Sequence, residues 1–151
     1  MSRGSAIFAL AVSVLAAPAR AADEVPAAAA DRAEGKEWAV RVDAAGGAAG
    51  AAAQLRLSSR AGYHVNLEYP IGFRPGPDST ITFREERVAL TPAGRTACEG
   101  RPEETCAVVL ALPGAVPEHG ERRLAGTLAF SVCSPERCLI EKVPLRATLR
   151  R

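Results

Sequence analysis

An all-β antiparallel sandwich is the fold class this sequence predicts, and three observations carry that expectation. Apolar residues alternate with polar or small ones in several separate stretches, the period of a strand with one buried face. Residues that favour turns, chiefly Gly, Pro, Asp and Ser, break the chain every 8 to 12 residues or so, at about the spacing of short sandwich strands. No window shows an apolar stripe of helical period. About eight short strands arranged in this way are expected to form an immunoglobulin-like pair of sheets.

The first residues have the layout of an export signal: Arg3, an apolar run from Ala6 to Ala17, then Pro18-Ala19-Arg20-Ala21. Small residues at Ala19 and Ala21 place cleavage before Ala22, so residues 1–21 are read as the signal peptide. The run falls well short of the roughly 20 apolar residues a spanning helix needs. No later segment is long enough either, and no cysteine stands near the cleavage site to accept a lipid. The processed chain is therefore expected in the periplasm or outside the cell, with no membrane insertion. Residues 22–36 are rich in Ala with scattered charge and are read as a flexible leader, and residues 37–151 as one β-sandwich domain.

Strand signals begin at Trp38, Val40 and Val42, and resume after the Gly/Ala-rich stretch from Asp43 to Gly50 at Ala51, Ala53, Leu55 and Leu57. Ala61-Gly62 punctuates the chain before Tyr63, Val65 and Leu67. Pro70, Gly72, Pro75, Gly76 and Pro77 make Tyr69 to Asp78 a loop by the usual breaker rules. Short strands are expected at Thr80 to Phe83 and Val88 to Thr91, then a polar loop from Pro92 to Thr105. Cys106 to Leu112 reads as a buried strand, and Pro113 to Gly120 as a turn. Two long strands close the chain, Arg123 to Cys133 and Cys138 to about Leu149.

The whole chain carries 19 basic and 17 acidic side chains, and loss of Arg3 and Arg20 with the signal leaves 17 of each. Arg and Glu are interspersed with no basic stripe, which argues against a nucleic-acid partner. No Gly-X-Ser-X-Gly elbow is present, and neither His64 nor His119 has a nucleophile and carboxylate at motif spacing, which argues against a hydrolase. His64 is read as a solvent-facing strand residue and His119 as part of a turn. Tyr63, Tyr69 and Phe73 are read as core or loop anchors ahead of a partner-binding patch, and Trp38 as core.

Four cysteines in an exported chain are expected to form two disulfides. Three pairings exist, and proximity favours Cys98 with Cys106 and Cys133 with Cys138. Their spacing does not match the tight ligand pairs of structural zinc sites, so no metal and no cofactor is expected. Ser134-Pro135-Glu136-Arg137 suits a type I turn, with Pro preset for its second position. Direct pairing of Cys133 with Cys138 then sets Val132 opposite Leu139, Phe130 opposite Glu141 and Leu128 opposite Val143. That places the sulfurs on the other, more polar face, beside Ser131, Ile140, Ala129 and Lys142. A bridge there is reachable by an incoming thiolate, as exchange requires. As a staple it is weak: closing six residues stabilises by about 2 kcal/mol in the chain-entropy model. Arg137 favours a thiolate and Glu136 opposes it, so no strongly activated thiol is expected.

The segments Gly126-Thr-Leu-Ala-Phe-Ser-Val-Cys133-Ser-Pro-Glu-Arg-Cys138-Leu-Ile-Glu-Lys-Val-Pro-Leu145 and Gly62-Tyr-His-Val-Asn-Leu-Glu-Tyr-Pro70 resemble the amino-terminal periplasmic domain of the DsbD family of thiol:disulfide interchange proteins. The resemblance spans roughly Trp38 to Leu149 and implies an immunoglobulin-like sandwich. It implies that Cys133 and Cys138 are the redox pair, taking electrons from a thioredoxin-like domain and passing them to periplasmic redox partners. This chain departs from the family in having one residue fewer between the two cysteines. Arg84 to Thr105 also lacks the aromatic residues of the family's shielding loop and carries Cys98 instead. The membrane carrier and thioredoxin-like domain of the full family protein are not expected here, so a monomeric module would borrow its reductant. The competing expectations are a non-catalytic secreted binding module whose disulfides, including Cys98 with Cys106, are structural, and an accessory chaperone-like domain.

Overall fold

The computed structural model describes residues 31–45, 50–60, 62–92 and 107–150. Among these residues all regular structure is β: β1 (Arg32–Glu34), β2 (Trp38–Ala44), β3 (Ala51–Ser59), β4 (His64–Val65), β5 (Gly72–Pro75), β6 (Val88–Ala89), β7 (Ala107–Pro113), β8 (Arg123–Cys133) and β9 (Cys138–Thr148). One sheet runs in the order β1, β2, β3, β7, all antiparallel. The other is built on β8, which carries β9 along one edge, β4 and β5 in succession along the other, and β6 beyond β5. The chain is thus an antiparallel two-sheet β-sandwich, as its alternating pattern predicts.

Alternation explains the core directly. Val40 and Val42 on β2, Leu55 and Leu57 on β3, Val108, Leu110 and Leu112 on β7, and Leu124, Leu128, Phe130 and Val132 on β8 are all buried in one cluster. Trp38 of the first sheet meets Phe130 of the second edge-on, with centroids 5.3 Å apart and planes at 84°, the T-shaped geometry favoured by the ring quadrupoles. The two sheets are therefore pinned beneath the β8–β9 turn. The chain passes from one sheet to the other between β3 and β4, where Gly62 takes a φ of 83°. Any side chain there would be strained.

Three stretches differ from the sequence expectation. Arg32–Glu34, read as the end of the flexible leader, forms edge strand β1 against β2. It is too short and too charged to show a period, and backbone pairing places it. Gly72–Pro75, inside the expected loop from Tyr69 to Asp78, forms β5 between β8 and β6. Its prolines bracket the strand without interrupting it: Pro75 is the last residue, and the following amide, of Gly76, donates to the Ala125 carbonyl at 2.9 Å. Conversely, Thr80 to Phe83 makes only a single bridge, Thr82 with Ala115. The signal peptide and residues 22–30 lie outside the described residues.

The outer face of the first sheet sets Arg32 opposite Arg41, and Arg41 opposite Arg56. Like charges facing across strands destabilise a sheet, and carboxylates two residues along offset two of them. Glu34 pairs with Arg32, and Asp43 with Arg41 at 3.0 Å. These exposed pairs relieve repulsion more than they add stability.

β5 presses closely on β8 at Gly126, where a Cβ would land on the Phe73 ring and the Arg74 carbonyl. Gly126→Ala is expected to lower the unfolding free energy by about 2 kcal/mol, seen as a fall in the urea midpoint at unchanged slope. An unchanged midpoint would contradict the close approach.

Candidate functional site

The hairpin register holds as the sequence predicts. Pairing runs unbroken from Arg123 with Thr148 to Cys133 with Cys138, through Leu128 with Val143, Phe130 with Glu141 and Val132 with Leu139. At its mouth Cys133 and Cys138 are disulfide-bonded, with Cα atoms 4.0 Å apart. Beyond them the Ser134 amide donates to the Arg137 carbonyl at 2.8 Å, so the cysteines form the closely spaced, non-hydrogen-bonded type of pair. The turn is closed by a side chain: Ser134 Oγ accepts from the amides of Glu136 and Arg137, both at 3.3 Å. Pro135 sits where no donor is required.

Both cysteines alternate with core residues and so face outward, as expected, but the two residues are not equally exposed. Cys138 belongs to β9, which has no paired strand on its other edge among the described residues, and it is exposed. Cys133 sits on β8 between two strands and is only 5 % exposed. Two residues back on the same face, Ser131 is buried, and its Oγ lies 3.9 Å from Cys133 Sγ. A bridged sulfur carries no proton, so the hydroxyl is the donor. On the exposed side, Ile140 is the next outward residue of β9 after Cys138 and is 61 % exposed.

A third strand completes the site. β4 pairs with the end of β8 so that His64 stands opposite Cys133 and Val65 opposite Val132. The Asn66 amide continues the ladder to the Ser131 carbonyl at 2.9 Å. Val65 is buried in the core, so alternation turns His64 to the outer face, where it is half-buried. The reading of His64 as a strand residue is right, and what it lacked was the neighbour. β4 and β8 are remote in sequence, and nothing local marks which strand β4 pairs with.

Arg137 does not serve the sulfurs. Its guanidinium donates to the Tyr63 hydroxyl at 3.2 Å, and this hydrogen bond is the largest cause raising its pKa above the ordinary arginine value. It stays charged and ties the turn to the segment leading into β4. Tyr63 packs against the core and Phe73 is fully buried, stacked at a tilt on Phe83, so Tyr63, Tyr69 and Phe73 make no shared aromatic patch. His119 is exposed in the turn after β7. Cys98 and Cys106 lie outside the described residues.

Comparisons with protein-family models, with curated proteins and with solved structures found no match for this chain.

The arrangement leaves Cys138 exposed and shelters Cys133. After reduction, iodoacetamide is expected to modify Cys138 at least about tenfold faster than Cys133, since alkylation needs an accessible thiolate. Peptide mass spectrometry over time reads the order, and equal rates would contradict the difference in burial.

Proposed function

We propose that this chain is an exported thiol:disulfide interchange module of the kind its resemblance to the DsbD amino-terminal domain implies, with Cys133 and Cys138 as the working pair. The observation that carries the reading is the unequal exposure of the two cysteines. A partner thiolate attacks Cys138 Sγ in line with the S–S bond, a new bond forms between partner sulfur and Cys138, and Cys133 leaves as a thiolate. Ser131 already points a hydroxyl at that sulfur. A second thiolate of the partner then attacks the partner's own sulfur and frees Cys138, leaving the dithiol on this chain. Running the steps backwards against an oxidised acceptor restores the bridge.

Two further features support the reading. The exposed Ile140 beside Cys138 gives a protein partner an apolar contact at the point of attack. The bridge also adds little as a staple, because the long β8–β9 ladder already holds the hairpin. Partners of thioredoxin-like type fit this chemistry, and an immunoglobulin-like topology, a monomeric state and a periplasmic or secreted location belong to the same proposal. One observation favours a second reading, a secreted binding module with structural disulfides: Cys133 is nearly covered, as an inert bridge would be.

The reduction potential separates the two. Interchange requires a value well above about −300 mV, and a structural bridge a value below it. In cells, Cys133→Ala is expected to accumulate mixed disulfides through Cys138, whereas Cys138→Ala is expected to trap far fewer. Failure of both variants to capture any partner on non-reducing gels would overturn the interchange reading.

A further inference from the structure

We infer that His64 supplies the positive charge that stabilises Cys133 as the leaving thiolate, so that opening of the bridge depends on pH; this rests on the interchange reading above. Cys133 has two cross-strand neighbours on the outer face, Cys138 from β9 and His64 from β4. Residues paired in this way have Cβ atoms roughly 5 Å apart, which puts an imidazole within reach of the Cys133 sulfur by rotation about its own side-chain torsions. The need for a counter-charge follows from burial. With 5 % of Cys133 exposed, a thiolate formed there loses most of its water, and burial in itself makes a thiol a poorer leaving group. Ser131 offers one neutral hydrogen bond.

The other charged groups around the site are less well placed. Lys142 of β9 pairs with Ala129, four positions along β8 from Cys133. Arg137 of the turn is held by Tyr63, and Arg60, ahead of β4, by Glu34 at 2.7 Å. Glu136 of the turn, Glu37 beside Arg137 and Glu68 after β4 carry the wrong sign. His64 is the cationisable side chain in register with the departing sulfur.

In the step itself the partner sulfur bonds to Cys138, the Cys133–Cys138 bond breaks, and its electron pair stays on Cys133 beside the imidazolium. The imidazolium proton can then pass to that thiolate, giving a neutral thiol and a neutral imidazole that is recharged from solvent. On re-oxidation the proton returns to His64 and the thiolate attacks the sulfur of Cys138, expelling the partner's thiolate. A protonated imidazole gives this help and a neutral one does not. The assistance is therefore present at the acid end and lost as pH rises.

The test uses the oxidised, signal-cleaved chain and reduced glutathione as probe. The rate of bridge opening is followed from about pH 5 to about pH 8.5 and divided by the fraction of glutathione present as thiolate. The corrected rate is expected to fall about threefold to tenfold across that range. His64→Gln is expected to be slow and flat throughout, His64→Lys to stay fast at the alkaline end, and Lys142→Gln to keep the unaltered profile. A merely structural histidine would not let lysine restore the alkaline rate. If His64→Gln reproduces the unaltered profile, the role of His64 is overturned while interchange stands. If neither glutathione nor dithiothreitol opens the bridge at any pH, interchange itself fails and this inference with it.

Discussion

The arrangement of the molecule depends on period-two burial along β8. Leu124, Leu128, Phe130 and Val132 are fully buried, and each such side chain is worth about 1.5–3 kcal/mol when removed from water. A slip of one residue would turn all four to solvent and drive Cys133 and Ser131 into the core. That cost, on the order of several kcal/mol at the least, exceeds the roughly 2 kcal/mol that closing a six-residue loop contributes. The core therefore sets the register, and the register brings the sulfurs together. The bridge is a consequence of the fold more than a cause of it, which leaves the fold able to survive its opening.

The same alternation builds the rest of the site. Val65 must be buried beside Val132, so its neighbour His64 must face outward, and pairing of the two strands sets it opposite Cys133. The Trp38–Phe130 contact fixes the sheets beneath the tip. From the segment before β4, Tyr63 holds Arg137 of the turn. Ser134 satisfies two turn amides that a bare proline-containing turn would leave to water. Each of these contacts limits how far the hairpin tip can move while leaving Cys138 uncovered.

What could be read from sequence was whatever is local. Cys133, Pro135 and Cys138 lie close together, and counting outward from the turn gives every β8–β9 pair. The face on which the sulfurs lie follows from the same count. The difference between the cysteines does not, because it depends on β8 being an inner strand and β9 an edge strand among the described residues, and that is settled by β4 and β5 arriving from a distant part of the chain. Of those two, β4 shows in the alternation at Tyr63 and Val65 but its partner does not, and β5 is framed by Pro70, Pro75 and Pro77 and reads as loop. β1 was hidden as well, since a short charged edge strand is held by a partner's backbone and shows no pattern of its own.

An edge strand is ordinarily a hazard, since its unpaired amides and carbonyls invite another chain. Most of β9 is guarded against this. Pro144 removes a donor, while Lys142 and Arg146 line the outer face, and half-buried Glu141 stands opposite Phe130, devices that discourage a further strand from pairing. The guard stops short of the turn. Between Lys142 and Cys138 the outward position is Ile140, apolar and open. A structural bridge would gain nothing from an exposed isoleucine beside its exposed sulfur, and burying that side chain would stabilise the fold more. For the interchange proposed above, contact there would order the approach to Cys138 without exposing Cys133.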